Sequence, residues 1–171
     1  MDRRPTLSLN EWAVLALLAE APRHGYELAA ELKQASEIGT VWTVSRPIVY
    51  RALDRLEALE LVAPRRSEPG QGPRRTVYEA TRNGREVLQR WLVIPVAHLR
   101  DLRGALLLKL VIGRRLGVDP SALVAAQRET LAPHLAALAN DPEPGDIVGL
   151  WRQQSALAAR SFLDRLEETF V

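Results

Sequence analysis

Two short runs of strand-forming residues follow an amphipathic helix, and this order limits the folds that the chain can adopt. The runs LVAPRR and RTVYEA flank SEPGQGP, whose glycines and prolines are typical of a hairpin tip. The preceding helix is predicted to begin at Ser45 as N-cap, with Pro47 in its first turn, and to end near Leu59. Its apolar residues are predicted to share one buried face: Ile48, Ala52, Leu56 and Leu59.

Two further helices are predicted upstream. Ser8 and Glu11 have the spacing of a capping box, ahead of an apolar helix over residues 9–20. A second helix is predicted within RHGYELAAELKQAS, and the β-branched residues of EIGTVWTVS predict a short extended piece that ends at Ser45. The order of helix, helix, short strand, helix and two-stranded wing is that of a winged helix-turn-helix.

Beyond residue 96 the sequence predicts apolar helices. One covers LRDLRGALLLKLVIGRRLG, and a second begins at Asp119 and Pro120, with Pro133 expected to kink or break it. The last helix has an apolar side: Ile147, Leu150, Trp151, Ala158, Phe162 and Leu166. We therefore predict a mainly α fold with a small β-wing. A winged helix-turn-helix domain (residues 1–92) would precede an antiparallel helical domain (residues 93–171). We predict that the second domain dimerises, because its large apolar surface needs a second copy to cover it.

Charge is unevenly distributed along the chain. The net charge is only +2, yet residues 41–92 contain ten arginines and six acidic residues. Arginine suits phosphates and guanine edges, because its planar fork donates two parallel hydrogen bonds. We therefore expect a DNA interface on the helix and the wing, formed by Ser45, Arg46, Pro47, Tyr50, Arg51, Arg55, Arg65, Arg66, Arg74 and Arg75.

These residues are expected to divide the work of binding. Arg46 and Arg51 are predicted to read base edges in the groove, whereas Tyr50 and Arg55 are predicted to contact phosphates. The four wing arginines would reach phosphates or a minor groove. Two alternatives remain open: Tyr50 belongs to the core, and Arg65 or Arg66 pairs with an acid such as Glu68.

Residues 7–92 resemble the PadR family of bacterial transcription regulators. The similar stretches are LALLAEAPRHGYELAAEL, IVYRALDRLEALELV and VYEATRNGREVL, and LRDLRGALLLKL resembles the start of the C-terminal helical region. The resemblance implies a homodimeric repressor that binds a palindromic DNA operator. One departure is the pair Arg46-Pro47, where family members commonly carry Ser or Gly and Thr.

The resemblance also implies a candidate effector site. In some PadR proteins flat aromatic ligands enter a pore at the dimer interface, between the first helix and the C-terminal helices. Trp12, Trp151 and Gln154 would line such a pocket for a small aromatic or hydrophobic effector. The alternative is that the tryptophans are core or interface residues.

Several other classes of function lack their sequence signals. The chain has no cysteine and no apolar run near the ~18 residues of a membrane span, so we expect a cytoplasmic protein without disulfides. Neither a Ser-His-Asp pattern nor a phosphate loop nor metal-ligand spacing of the three histidines is seen, so we expect no enzyme, cofactor or metal. The rival function is a winged helix that contacts other proteins and does not bind DNA.

Overall fold

A computed structural model describes residues 6–68, 75–137, 143 and 145–170. Its elements in chain order are α1 (Leu9–Glu20), β1 (Arg23–His24), α2 (Gly25–Glu31), α3 (Glu37–Val41), α4 (Arg46–Ala58), β2 (Val62–Glu68), β3 (Arg75–Ala80), α5 (Arg82–Leu92), a 3₁₀ turn (Leu99–Asp101), a π-helical turn (Leu102–Leu106), α6 (Leu107–Arg115), α7 (Ser121–Ala137) and α8 (Ile147–Phe170). The predicted mainly α fold with a small β-wing is confirmed.

Helix α1 forms the centre of the winged helix. The capping box is confirmed: Glu11 N–H donates to Ser8 Oγ, and the Glu11 carboxylate accepts from Ser8 N–H at 2.6 Å. Eight consecutive residues, from Glu11 to Leu18, are buried. A helix that is apolar all round must be enclosed, and α1 is packed by α4, α5, β3 and α6.

The extended piece predicted over EIGTVWTVS is wrong in its first half, because residues Glu37–Val41 form the short helix α3. Ser36 supplies the N-cap, accepting from Gly39 N–H at 2.8 Å, and this local bond outweighs the β-branched composition. Gly39 is required there, since an added Cβ would lie 1.7 Å from the Lys33 carbonyl oxygen. The third strand is instead β1, which pairs antiparallel with the central strand β3.

Helix α4 has the predicted N-cap and first-turn proline, and its predicted end is confirmed within one residue. Its buried face is rotated from the predicted one, because Val49 and Leu53 are fully buried whereas Ile48 and Leu59 are only half-buried. The buried set is Val49, Ala52, Leu53 and Leu56. The rotation determines which polar residues of α4 face outward.

The wing consists of the antiparallel strands β2 and β3, with a bulge between Pro64 and Arg66. The predicted strand runs are confirmed, with Val62 opposite Ala80 in the register. Thr81 closes the wing and caps α5, its hydroxyl accepting from Gly84 N–H at 3.0 Å. The predicted tip, residues 69–74, lies outside the described part of the chain.

The C-terminal half is helical as predicted, and α6 connects it to the winged helix. Leu108 and Ile112 of α6 belong to the apolar core around α1, whereas Leu106, just before α6, packs in a second core with residues of α7 and α8. Pro133 does not break α7, which continues to Ala137. No helix among the described residues is long and apolar enough to cross a membrane.

Helix α8 buries only a narrow stripe, formed by Ala156, Ala159 and Leu163. Large apolar side chains near its start are exposed: Ile147, Val148, Leu150 and Trp151. The exposed fraction of Ile147 is 80% and that of Trp151 is 72%, so the start of α8 carries an apolar patch that a single chain leaves in contact with water.

A buried lysine lies where α6 contacts α5 and α1. Lys109 is 3% exposed, and its ammonium donates to the Trp91 carbonyl and lies 4.0 Å from the centre of the Trp91 ring. The Trp91 ring stacks on Trp12 of α1 with centroids 4.6 Å apart. Burial lowers the pKa of Lys109 from 10.5 to about 8.

Replacing this lysine with an apolar residue should stabilise the protein at neutral pH. Because the folded pKa is below the unfolded one, the charged form is disfavoured in the fold. That cost, about 3 kcal/mol from a shift of this size, is fully present below pH 8 and vanishes above the unfolded pKa. Lys109→Met should therefore raise the midpoint of urea unfolding at pH 7, with a difference from wild type that shrinks towards pH 10. A pH-independent difference would contradict this account.

Candidate nucleic-acid interface

The N-terminal half of α4 presents a basic surface. Ser45 caps the helix in extended backbone conformation, and its hydroxyl makes no capping bond within the helix. Ser45, Arg46, Pro47 and Arg51 are all exposed. No described residue forms a hydrogen bond or an ion pair with Arg51. The positive end of the helix dipole adds to these charges. No acidic residue in the first turn of α4 offsets them.

Tyr50 packs against the body of the protein and is also exposed on the surface of α4. Its ring packs on the start of α2 so closely that a Cβ at Gly25 would lie 2.8 Å from Tyr50 Cε1. The residue as a whole is nevertheless 40% exposed. The Arg46 guanidinium lies 5.8 Å from the ring centre, within range of a cation–π contact. Tyr50 therefore supports Arg46 on the surface of α4.

Arg55 is turned towards the body of the protein. Its Nε lies 3.0 Å from Glu11 Oε1, and Nη2 donates to the Thr6 carbonyl at 3.3 Å. Glu11 is buried, so this ion pair compensates a carboxylate that has lost most of its water. The structure thus gives Arg55 a partner within the chain, although 56% of its side chain is exposed.

The wing arginines are described only in part. Arg65 Nε lies 3.7 Å from Glu79 Oε2, and its side chain is 60% exposed. Such an exposed pair contributes little to stability, so the guanidinium can exchange partners readily. Arg66 lies in β2, and Arg75 is the first residue of β3. Arg74 lies outside the described residues.

Acidic residues of α4 are confined to its second half. Asp54 and Glu57 are exposed there, and both contribute, after burial, to raising the pKa of the Tyr78 phenol on β3. The exposed charges of α4 are therefore all basic in its first two turns and mixed in its last two, where Arg55 lies between Asp54 and Glu57. A polyanion would be attracted to the N-terminal half.

Sequence reasoning missed a concave surface beside this half of α4. A cavity of about 330 Å³ is bordered by residues of α2, of the segment before α4 and of its first turn: Tyr26, Ala29, Ala30, Lys33, Gln34, Thr43, Val44, Ser45 and Arg46. Lys33 is exposed and is one of only two lysines in the chain. The rarity of lysine in this sequence could have drawn attention to Lys33, but only the fold shows that it lies near Arg46.

The three residues of the predicted effector pocket do not come together within one chain. Trp12 is buried against Trp91 in the winged-helix core. Trp151 borders a groove of about 540 Å³ together with Arg100, Arg103 and Phe162, and neither Trp12 nor Gln154 lines that groove. Among the described residues, no three His, Cys, Asp or Glu side chains are arranged to hold a metal ion.

The close packing of Tyr50 on Gly25, which holds the ring that supports Arg46, can be tested by substitution. Gly25→Ala should destabilise the protein by about 1 kcal/mol or more, because the new methyl group displaces the Tyr50 ring. In a Tyr50→Ala background the same change should be neutral or slightly stabilising, because alanine favours the helix more than glycine does. Urea denaturation of the four proteins measures the coupling. An equal loss in both backgrounds would refute the contact.

Comparisons with known proteins agree with this geometry. Residues 14–90 match the family described as transcriptional regulator PadR-like. A probable transcriptional regulator from Mycobacterium tuberculosis is 33% identical over 95 residues, which cover 56% of this chain and 49% of that protein. The chain thus spans about half the length of this curated relative.

Two solved structures of Bacillus subtilis PadR align with most of this chain at low sequence identity. The complex with operator DNA aligns with 94% of this chain and 97% of its own, at 18% identity and a TM-score of 0.48. The complex with p-coumaric acid aligns with 95% and 97%, at 18% identity and a TM-score of 0.46. The part of the chain that forms the helix-turn-helix and the wing is thus similar to the PadR-like family of transcriptional regulators.

Proposed function

We propose that this protein is a transcriptional regulator of the PadR-like family, a homodimeric repressor that binds a palindromic operator in double-stranded DNA. The observation that carries the proposal is the pair of exposed arginines, Arg46 and Arg51, in the first two turns of α4. Helix α4 is the element that enters the major groove in a winged helix-turn-helix, with its N-terminal residues foremost. Its acidic residues, Asp54 and Glu57, lie further along the helix.

The contacts would divide between bases and phosphates. Arg51, which has no described partner, is available to donate two hydrogen bonds to a guanine edge. Arg46, supported by the Tyr50 ring, would bind either a base or a phosphate beside it. Lys33 and the hydroxyl of Ser45 border the cavity at the start of α4, where a backbone phosphate would fit. Arg65 and the other wing arginines would hold the neighbouring phosphates.

Dimerisation would use the exposed apolar side of α8. Ile147, Val148, Leu150 and Trp151 leave at least half of their surface uncovered in the single chain. A second copy related by a two-fold axis would cover this surface and present two α4 helices to the DNA. Their spacing would then match successive major grooves, roughly 34 Å apart, and the operator would be a palindrome.

A small aromatic or hydrophobic effector would release the repressor. The groove beside Trp151 combines aromatic side chains with Arg100 and Arg103, and its volume is in the range of small-molecule sites. In a dimer, a molecule bound there would lie near α8 and the π-helical turn that leads into α6. Since α6 also packs on the winged helix, a shift there would reach α4.

The alternative is a winged helix that contacts proteins and does not bind DNA. Such a module does not need unpaired arginines at the start of α4, and its binding would depend weakly on salt. A gel shift with the DNA upstream of the protein's own gene distinguishes the two. Retarded DNA supports the proposal, and no retardation at any salt concentration favours the alternative.

Salt should weaken DNA binding steeply. If the two subunits together contact six to ten phosphates, affinity should fall by about 10³-fold or more between 50 and 200 mM salt, because condensed counterions are released on binding. Fluorescence anisotropy of a labelled duplex measures the slope. A flat response would argue against the phosphate contacts proposed for the wing and α4.

Arg51→Ala should weaken binding to the operator more than binding to random DNA. The expected loss on the operator is about 1–3 kcal/mol, because a bidentate contact to one base is removed. Arg90→Ala on α5 removes the same charge from another exposed position and serves as the control. Both variants should keep the unfolding midpoint of wild type. An equal loss on both DNAs would make Arg51 a phosphate contact.

A further inference from the structure

Three acidic residues surround one arginine where the C-terminal helices meet the helix-turn-helix. Arg115, the last residue of α6, donates from Nε and Nη2 to the two carboxylate oxygens of Glu20, at 2.5 and 2.7 Å. Its other guanidinium contacts are Glu31, at 3.8 Å, and Glu37, at 3.9 Å. These acids lie at the end of α1, the end of α2 and the start of α3.

The Arg115–Glu20 pair is far more shielded from water than the pair of Arg114 with Glu37, and Glu20 also binds Arg23 at 3.2 Å. The side chains of Arg115 and Glu20 are 22% and 14% exposed, whereas the neighbouring Arg114 is 71% exposed and pairs with Glu37 alone. A bidentate pair in partly buried surroundings fixes both position and angle, because both donors must stay aligned with both oxygens. Exposed pairs such as that of Arg114 impose little geometry.

The three tethered helices determine where α4 lies. Helix α3 leads into α4 through residues 42–45, and Val44 in this segment is buried and donates its N–H to the Leu32 carbonyl at 3.0 Å. Helices α1 and α2 both pack directly on α4. On the other side, α6 continues from the π-helical turn whose Leu106 is buried with α7 and α8. Arg115 is thus a short mechanical connection between the proposed dimerising helices and the proposed recognition helix.

We propose that Arg115 is a positioning residue that sets the orientation of α4 relative to the C-terminal helices, and thereby the spacing of operator half-sites that the dimer accepts. The inference rests on the proposed function. Arg115 is engaged by acids and makes no DNA contact in this account, so it acts on geometry and leaves the affinity of one α4 for one half-site unchanged. A two-fold dimer doubles any change in the angle of α4, which makes half-site spacing sensitive to it.

The experiment uses the full chain and an operator recovered by selection on random duplexes. A series of duplexes varies the distance between the two half-sites by one base pair at a time, and a further duplex carries a single half-site. Wild type, Arg115→Gln and Arg114→Gln are compared by anisotropy, with dimerisation checked by sedimentation. Arg114→Gln is the matched control, because it removes the same charge one position earlier from an exposed ion pair.

Wild type should prefer one spacing by about tenfold or more over its neighbours. Arg115→Gln should bind adjacent spacings within about threefold of one another, with unchanged half-site affinity and unchanged dimerisation, while Arg114→Gln keeps the wild-type preference. If Arg115→Gln keeps the wild-type preference, the inference is wrong. If both variants lose it equally, the charge of α6 is responsible and the positioning role is refuted.

A second variant covers the case in which Arg115→Gln does not fold. Glu20→Gln removes the bidentate partner but leaves Arg115 near Glu31 and Glu37, and it should flatten the spacing preference in the same way. It also removes the partner of Arg23, so Arg23→Gln, which should keep the wild-type preference, is its control. Retained preference in a folded Glu20→Gln dimer contradicts the inference. Failure of the proposed function looks different, since wild type would then yield no operator in the selection.

Discussion

The burial of α1 is the constraint on which the other elements depend. Its apolar residues are enclosed by α4 on one side and by α5, β3 and α6 on others, and each fully buried leucine contributes about 1.5–3 kcal/mol. The same burial encloses Glu11, whose carboxylate needs a cation and hydrogen-bond donors. Ser8 and Arg55 supply them. The packing of α1 thereby fixes both the position of α4 and the direction of one of its arginines.

The arginines divide into two groups by what they face. Arg55 and Arg115 are held by carboxylates that the fold has partly removed from water, and they connect helices to one another. Arg46 and Arg51 have no such partner among the described residues and stand at the positive end of α4. An exposed guanidinium without an acid contributes little to stability, and in the proposed complex these two are available to bind an anion.

Local signals in the sequence were enough to predict much of the fold. Capping at Ser8, the proline at position 47 and the glycines of the hairpin each act within a few residues, so α1, α4 and the wing were predicted close to their observed bounds. The helix at Glu37–Val41 was missed because the bond between Ser36 and Gly39 outweighs β-branched composition. The buried residues of α4 have regular helical spacing, but the stripe through Ile48 and Leu59 also fits helical spacing, and only the packing on α1 distinguishes the two.

In the candidate site, too, local features were predictable from the sequence and contacts between distant residues were not. The exposed arginines of α4 followed from helical spacing, but the contacts of Arg55 with Glu11 and of Arg65 with Glu79 join residues that are distant in sequence. The position of Lys33 beside Arg46 is likewise a product of the fold. For the effector pocket, the resemblance groups Trp12 with Trp151 at a dimer interface, and this stays a prediction, since a single chain buries Trp12 and exposes Trp151.

Chemical interference at guanine N7 tests most directly whether α4 enters the major groove, because that atom is exposed only there. Operator DNA methylated sparsely at N7 would be divided into bound and free fractions by the full-length protein. The account predicts two clusters of interfering guanines about one helical turn apart, in symmetric half-sites. Tight binding that is indifferent to methylation at every guanine of the operator would contradict it.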